Sequence, residues 1–217
     1  MSMSSDRVRA REPSPPDCDP TPARPFACAS CAKTSCFRGE LDQLPRTCPT
    51  RTHAEIVYDT EPYAAPDTHA TMVAADATPF TPDGHLRTRV QELIAFAHAR
   101  HLERIGIAYC VSLVQESQRL GRMLAEAGFV PELVCCRVGA IDYDQIGLTK
   151  AHPERFAAIC NPIGQARLFN ERRVDLVVQL GLCLGHDLLL QRACDAPVTT
   201  LVVKDRVLDH HPVQALR

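Results

Sequence analysis

The sequence predicts an α/β fold: a three-layer domain built on a mostly parallel sheet of at least four strands, preceded by a small cysteine-rich module and a disordered N-terminal tail. Three observations carry this expectation. Beyond Asp83, short apolar runs alternate with amphipathic helical segments, the pattern of strands buried on both faces and joined by crossover helices. Of the 17 prolines, 12 lie at or before Pro82, so regular structure should be broken before that point and continuous after it. The 11 cysteines gather between Cys28 and Cys48 and then recur where strands should end.

Taken in order, residues 1–26 are rich in Pro, Ser, Arg and Asp and hold no apolar run, so they read as the disordered tail. Residues 27–52 form the cysteine-rich module. Residues 53–82 read as an irregular connector, with a strand-like run at Ile56-Val57-Tyr58 and a short helix around His69 to Ala77. The α/β domain spans 83–217. Its first helix is predicted over His85 to Arg104, with Leu86, Val90, Leu93, Ile94 and Ala97 at helical spacing. Arg104 to Tyr109 is a buried strand. Leu113 to Ala127 is amphipathic through Leu113, Val114, Leu120, Met123 and Leu124, with Gly128 placed to cap it. Phe129 to Val134 is the second strand. Asn161-Pro162 pairs an N-cap residue with proline at the first helical position, opening a helix to about Arg172. Asp175 to Leu180 is a third strand, His186 to Cys194 a short helix, and Thr199 to Val203 a fourth strand.

Composition excludes several functions. With 217 residues, 45% of them hydrophobic, the chain can bury a core without disulfide staples. A net charge of -2, no Trp and 5% aromatic residues offer neither the field nor the stacking platform that nucleic acid needs. No apolar window is long enough for a membrane span, and the N-terminus has no signal-like apolar core. The expected compartment is cytoplasmic, where cysteines are thiols, metal ligands or catalytic groups. An odd cysteine count also excludes complete pairing in a monomer. After the first strand stands Cys110-Val111-Ser112-Leu113 in place of G-x-G-x-x-G, so neither nicotinamide nor flavin is predicted.

The cysteines fall in two groups. Cys28, Cys31, Cys36 and Cys48 give C-x2-C-x4-C-x11-C. Four thiols in a short polar segment need a metal to order them, which makes 27–52 a metal-binding module. The spacing lacks the second paired knuckle of common zinc sites and departs from both common ferredoxin patterns, although Cys48-Pro49 shares the ending of one. Soft thiolates select an iron–sulfur cluster, zinc or copper(I).

The second group follows the strands. Cys110 comes after the first, Cys135 and Cys136 after the second, Cys183 after the third, and Cys160 precedes the Asn161-Pro162 helix start. Carboxyl ends of parallel strands share one edge, where ligands bind. Helix starts there favour thiolate, and Gly139, Gly147, Gly164, Gly181 and Gly185 permit close backbone approach. Free cysteine is also a small buried hydrophobe, but recurrence at three strand ends weighs toward a site. The sulfurs of Cys110, Cys136, Cys160 and Cys183 are therefore expected to converge as metal and cofactor ligands. Cys136 is preferred over Cys135, which continues the strand alternation.

Cys183, His186 and Asp187 are the catalytic candidates. They combine a soft ligand, an imidazole and a carboxylate that either orients the imidazole or complements the helix dipole. Lys204, Asp205 and Arg206 either hold a small anionic or sulfur-containing ligand or form a solvated strand end. Cys18 is read as incidental, Cys194 as packing, and His210-His211 as tail.

Several segments resemble a known group. They are Ile105 to Cys110, Val134-Cys135-Cys136-Arg137-Val138-Gly139, Cys160-Asn161-Pro162-Ile163-Gly164-Gln165-Ala166, Gly181 to Asp187, and Ala196 to Leu208. With the leading cysteines they resemble an uncharacterised cysteine-rich metal-binding protein family, a group of unknown function common in anaerobic bacteria and archaea. The resemblance covers about Cys28 to Leu216 and is weakest from Ile56 to Pro82. It implies metal binding and supplies no reaction. The expected function is a metal-binding protein, iron–sulfur in type, with a redox or sulfur-handling role at the sheet edge. The alternative is a zinc-binding regulatory, carrier or structural protein without catalysis. A thiol enzyme using Cys183 with His186 is a third reading, for which no oxyanion donor is evident.

Overall fold

A computed structural model of the chain describes residue 26, residues 28–32 and residues 34–217. The expected disordered tail lies outside the described residues except for Phe26, and so does Cys18. The chain divides into two compact units, Met1–Pro62 and Tyr63–Arg217.

The described part of the first unit is made of short turns of helix: α1 (Ser35–Arg38), α2 (Pro49–Thr52) and α3 (Ala54–Val57), with 3-10 turns at Cys28–Ser30 and Leu41–Gln43. Ile56-Val57-Tyr58, predicted strand-like, is helical instead. Ile56 is 66% and Val57 48% exposed, so no sheet face waits to bury them. The local bonds Val57 N–H to His53 C=O and Tyr58 N–H to Ala54 C=O, 3.0 Å each, satisfy the backbone that a lone strand would leave unpaired. β-propensity counts only where there is a sheet to join.

The second unit holds α4 (Pro66–Ala77), α5 (Arg89–Ala99), β1 (Arg104–Tyr109), α6 (Val114–Glu126), β2 (Val130–Cys135), α7 (Pro162–Arg172), β3 (Leu176–Leu180), α8 (His186–Ala193) and β4 (Val198–Val202). The stretch read as an irregular connector thus carries α3, a 3-10 turn at Glu61–Ala64 and all of α4. The first helix of the predicted domain starts later than expected. Thr88 and Gln91 close a capping box at Arg89, while Leu86 bridges Phe80 and stays 75% exposed.

The strands form one parallel sheet in the order β2-β1-β3-β4. Helices cover both faces, as predicted. On one face Leu93 and Ala97 of α5 and Leu120 and Leu124 of α6 pack on Ile105, Ile107, Leu176, Val178 and Leu180. On the other, Ala166 and Phe169 of α7 and Leu190 of α8 pack on Ala108 and Val177. The alternation along β1 and β3 is the period of two that sends successive side chains to opposite layers. Gly106 lies under the Phe169 ring: a Cβ there would sit 2.8 Å from Phe169 Cδ1. Between β3 and β4 the register slips, with Gln179 opposite Thr200 and Leu180 opposite Val202. From β1 the chain winds outward to β2, then crosses back to β3 and on to β4. The strand order therefore reverses between β1 and β3, the switch point at which open sheets of this kind bind ligands beyond the strands' carboxyl ends.

Candidate functional site

Each cysteine of the second group reaches the carboxyl edge through its strand. Cys110 follows β1 directly and its N–H donates to Leu180 C=O at 3.0 Å. The next turn, Val111–Leu113, leads into α6. Cys110 is 8% exposed, yet polar groups reach its sulfur. Ser112 Oγ donates to Sγ at 3.4 Å, Lys204 Nζ approaches Sγ at 3.4 Å, and Lys204 Nζ also donates to Ser112 Oγ at 2.7 Å. Burial by itself raises this thiol. The Ser112 hydroxyl and backbone N–H and the Lys204 ammonium outweigh it, so Cys110 ends below the ordinary thiol range.

Cys136 behaves oppositely. It continues from β2, is 2% exposed, and shares a buried cluster with Cys110 that Cys135 and Cys160 pack against. Its sulfur accepts the Val111 N–H at 3.3 Å. Burial is the largest influence, and thiolate charge at Cys160, Cys110 and Cys135 adds to it; the Val111 bond opposes them, and the thiol is pushed up to about 12. Cys135 stands beside Tyr109, whose hydroxyl is raised by burial and then by Cys135 and Cys136. The fold thus brings Cys110, Cys136 and Cys160 into one neighbourhood. At the end of β3, Arg206 Nη2 donates to the Cys183 sulfur at 3.0 Å. Cys194, half-buried at the end of α8, has its thiol raised to about 11 by burial and by Asp195.

The loop ahead of α7 is held by Asn161. Its Oδ1 accepts the Gly164 N–H at 2.8 Å, its Nδ2 donates to Val138 C=O at 3.2 Å, and its own N–H donates to Cys136 C=O at 2.7 Å. One residue therefore ties the turn after Cys136 to the segment that carries Cys160. One turn into the helix, Gln165 is fully buried, donates from Nε2 to Val134 C=O at 2.7 Å, and leaves Oε1 without a partner. At α8, His186 N–H donates to Cys183 C=O at 2.9 Å. Asp187 Oδ1 accepts from Gly185 and Leu188 N–H, both at 2.8 Å, which spends that oxygen on the helix start. Asp205 Oδ1 likewise accepts the Val207 and Leu208 N–H groups at 2.9 Å each.

Three features of this edge were not read from sequence. Ser112 bridges Cys110 and Lys204. A cavity of about 640 Å³ adjoins the edge, lined among others by Val111, Arg137, Tyr143 and Lys150. His210, read as tail, folds back so that Nδ1 lies 3.3 Å from the Asp205 N–H and its Cε1 lies 3.6 Å from where a Gly181 Cβ would be.

The first cysteine group is in the other unit. Cys28, Cys31, Cys36 and Cys48 all line one cavity of about 190 Å³, beside Thr34, Thr47 and Thr50. Cys48 precedes α2 at an N-cap position. The Thr50 side chain, and after it the Thr50 and Arg51 N–H groups and the Arg51 charge, lower its thiol against the opposing effect of burial. Among the described residues no group of three or more His, Cys, Asp or Glu side chains is placed to hold a metal ion. The lining of this cavity holds four cysteines and no carboxylate.

The model of the family described as Protein of unknown function (DUF1847) matches residues 48–201. The chain belongs to this family. An uncharacterized protein of Methanocaldococcus jannaschii is 42% identical over 130 residues, covering 60% of this chain and 67% of that protein. No solved structure matches the chain. The DUF1847 match takes in Cys48 and the sheet-edge cysteines, while Cys28, Cys31, Cys36, Lys204 and Arg206 lie outside it. The resemblance read from sequence is met as a family of unknown function. Among the described residues, no helix is long and apolar enough to cross a membrane.

Proposed function

We propose that this chain is a cysteine-based metal-binding protein of the cytoplasm with a redox or sulfur-handling role at the sheet edge. The observation that carries the metal reading is the convergence of Cys28, Cys31, Cys36 and Cys48, from separate short turns, on one cavity. Four thiols with no buried core of their own gain order from an ion that replaces their protons, so binding and folding of that segment are one event. At the edge, Cys110, Cys136, Cys160 and Cys183 are the proposed ligands of an iron–sulfur cluster. Such a cluster would supply one-electron chemistry and an iron on which sulfur can bind. Lys204 and Arg206, each already on a cysteine sulfur, would hold the charge of a small anionic or sulfur-containing ligand. Cys183, His186 and Asp187 remain the candidates for chemistry at that ligand.

A second reading is zinc held by Cys28, Cys31, Cys36 and Cys48 in a structural, carrier or regulatory site without catalysis. It is favoured by the four cysteines that line the first cavity, the ligand number of a closed tetrahedral centre.

Purification without oxygen separates the two. A brown protein with iron and acid-labile sulfide, losing colour in Cys183→Ser and Cys136→Ser, supports the cluster. A colourless protein with stoichiometric zinc that Cys28→Ser abolishes supports the second reading and refutes the first. Protein that binds neither metal refutes both.

A further inference from the structure

The register of the sheet places two cysteines side by side. In the β1–β2 ladder Ala108 stands opposite Val134 and Tyr109 opposite Cys135. The Cys136 N–H donates to Tyr109 C=O at 2.8 Å, which carries the pairing to the end of both strands. Cys110 keeps the extended backbone, at φ −71° and ψ 141°, so Cys110 and Cys136 are neighbours one step beyond. Side chains alternate between faces along a strand. These two therefore share the layer of Ala108 and Val134, and both lie in the buried cluster of that layer. Cys135, one residue earlier, has the opposite phase. Parallel neighbours in register stand about 4.8 Å apart, inside the Cα separation of roughly 4.4–6.8 Å that a disulfide spans. The Cys136 sulfur already leans toward its neighbour: it accepts the N–H of Val111, the residue joined to Cys110, at 3.3 Å.

The two sulfurs differ in what reaches them. At Cys110 the Ser112 hydroxyl and the Lys204 ammonium each lie 3.4 Å from Sγ. Ser112 is exposed, so this is the polar side from which a small reagent meets Cys110. Cys136 is 2% exposed and lies behind it.

We propose that Cys110 and Cys136 form a redox-active dithiol, closed to a disulfide by a hydroperoxide and reopened by an external thiol. The proposal rests on the redox reading of the edge and applies while these sulfurs carry no metal. The Cys110 sulfur attacks hydrogen peroxide: an S–O bond forms, the O–O bond breaks, and the leaving hydroxide takes up the Cys110 proton as water. The Cys136 sulfur then attacks the sulfenic sulfur: an S–S bond forms, the S–O bond breaks, and the departing hydroxide takes up the Cys136 proton. Two thiols are oxidised and one peroxide is reduced to two waters. Closure takes two of the four proposed edge ligands out of use, so oxidation and metal loading there exclude each other.

The test uses the full chain, stripped with dipyridyl and EDTA, reduced, freed of reductant and exposed to hydrogen peroxide. Iodoacetamide blocking and peptide mass spectrometry follow. The expected result is loss of the iodoacetamide adducts at Cys110 and Cys136, a peptide linked through the two, and return of both adducts after dithiothreitol. In Cys136→Ser, which has no resolving thiol, dimedone should trap a sulfenic acid at Cys110. In Cys110→Ser none should be trapped at Cys136. Both positions still alkylated after peroxide, or Cys136 linked to Cys160 instead, overturns the inference, and this mapping on the parent chain needs neither variant to fold. Iron and sulfide in the untreated protein are measured separately. A linked pair in a chain that never held iron sinks the cluster reading and keeps this one, whereas a cluster-bearing chain whose stripped edge stays reduced does the reverse.

Discussion

Asn161 is the residue on which the geometry of the cysteine edge most depends, and its removal has a calculable cost. Asn161→Ala deletes the acceptor for the Gly164 N–H and the donor to Val138 C=O. Loss of an N-cap costs about 1 kcal/mol, and loss of a neutral hydrogen bond costs about 0.5–1.5 kcal/mol. Together the variant should lose about 2 kcal/mol, which lowers Tm by about 4–8 °C in a unit of this size. Asn161→Asp separates the contributions. Its carboxylate still caps α7 and suits the helix dipole, but the donor to Val138 is gone, so about half the loss is expected. Urea denaturation followed by far-ultraviolet circular dichroism measures both. Alkylation mapped by mass spectrometry should show Cys136 and Cys160 more accessible in the alanine variant, because the side-chain bond to Val138 C=O that ties the turn after Cys136 to the Cys160 segment is lost. Gly164→Ala should mimic it, since the new Cβ would stand 2.3 Å from Asn161 Nδ2. An alanine variant within 0.5 kcal/mol of the parent, or an aspartate variant as damaged as alanine, would refute this account.

Other perturbations have equally definite outcomes. Gly106→Ala pushes a methyl into the buried Phe169 ring and should cost about 1–3 kcal/mol; adding Phe169→Leu should recover part of that, and strict additivity of the two would count against the contact. Lys204→Met removes one of the groups that hold the Cys110 thiol down. The thiol then rises, less thiolate is present at neutral pH, and iodoacetamide alkylation of Cys110 slows, with its pH profile moved upward; an unchanged profile would show that Lys204 does not act on the sulfur. Cys136, pushed up to about 12, stays protonated through pH 9 and should alkylate far more slowly at pH 8 than Cys110. Faster labelling of Cys136 than of Cys110 would contradict the assigned environments.

Much of the second unit was legible in the sequence because its signals are short-range. Apolar runs bounded by helical periods place β1 and β3 within a residue of their observed limits, and Asn161-Pro162 marks the start of α7 by its own cap chemistry. Legibility fails where a distant partner decides. α5 is an exception of the local kind: Leu86 has the right spacing, but the Thr88–Gln91 capping box starts the helix at Arg89, four residues after the expected His85. Ile56 and Val57 have strand chemistry and no strand beside them. At the site, Lys204 and Arg206 were recognised as edge charges. That each selects one sulfur, Cys110 and Cys183 respectively, depends on contacts spanning 94 and 23 residues. Ser112 and His210 carried no motif. The return of the chain after β4 brings Lys204 to Ser112 and places His210 against Asp205.

The slip between β3 and β4 has a reach beyond the two residues it involves. Thr200 lies on the same face as Gln179, to which it is bonded at 2.7 Å, but Val202, two residues on, pairs with Leu180 and packs in the opposite layer. One additional residue in β4 thus inverts the phase of everything downstream. Lys204 and Arg206 meet their sulfurs in the turn that follows this slipped end of β4, while Cys110 and Cys183 follow the regular strands β1 and β3. Deleting Leu201 should draw Lys204 and Arg206 back by one residue and break both cation–sulfur contacts, which slower Cys110 alkylation would report. The edge chemistry is in this sense timed by strand length, and β4 acts as the spacer that brings its two halves into coincidence.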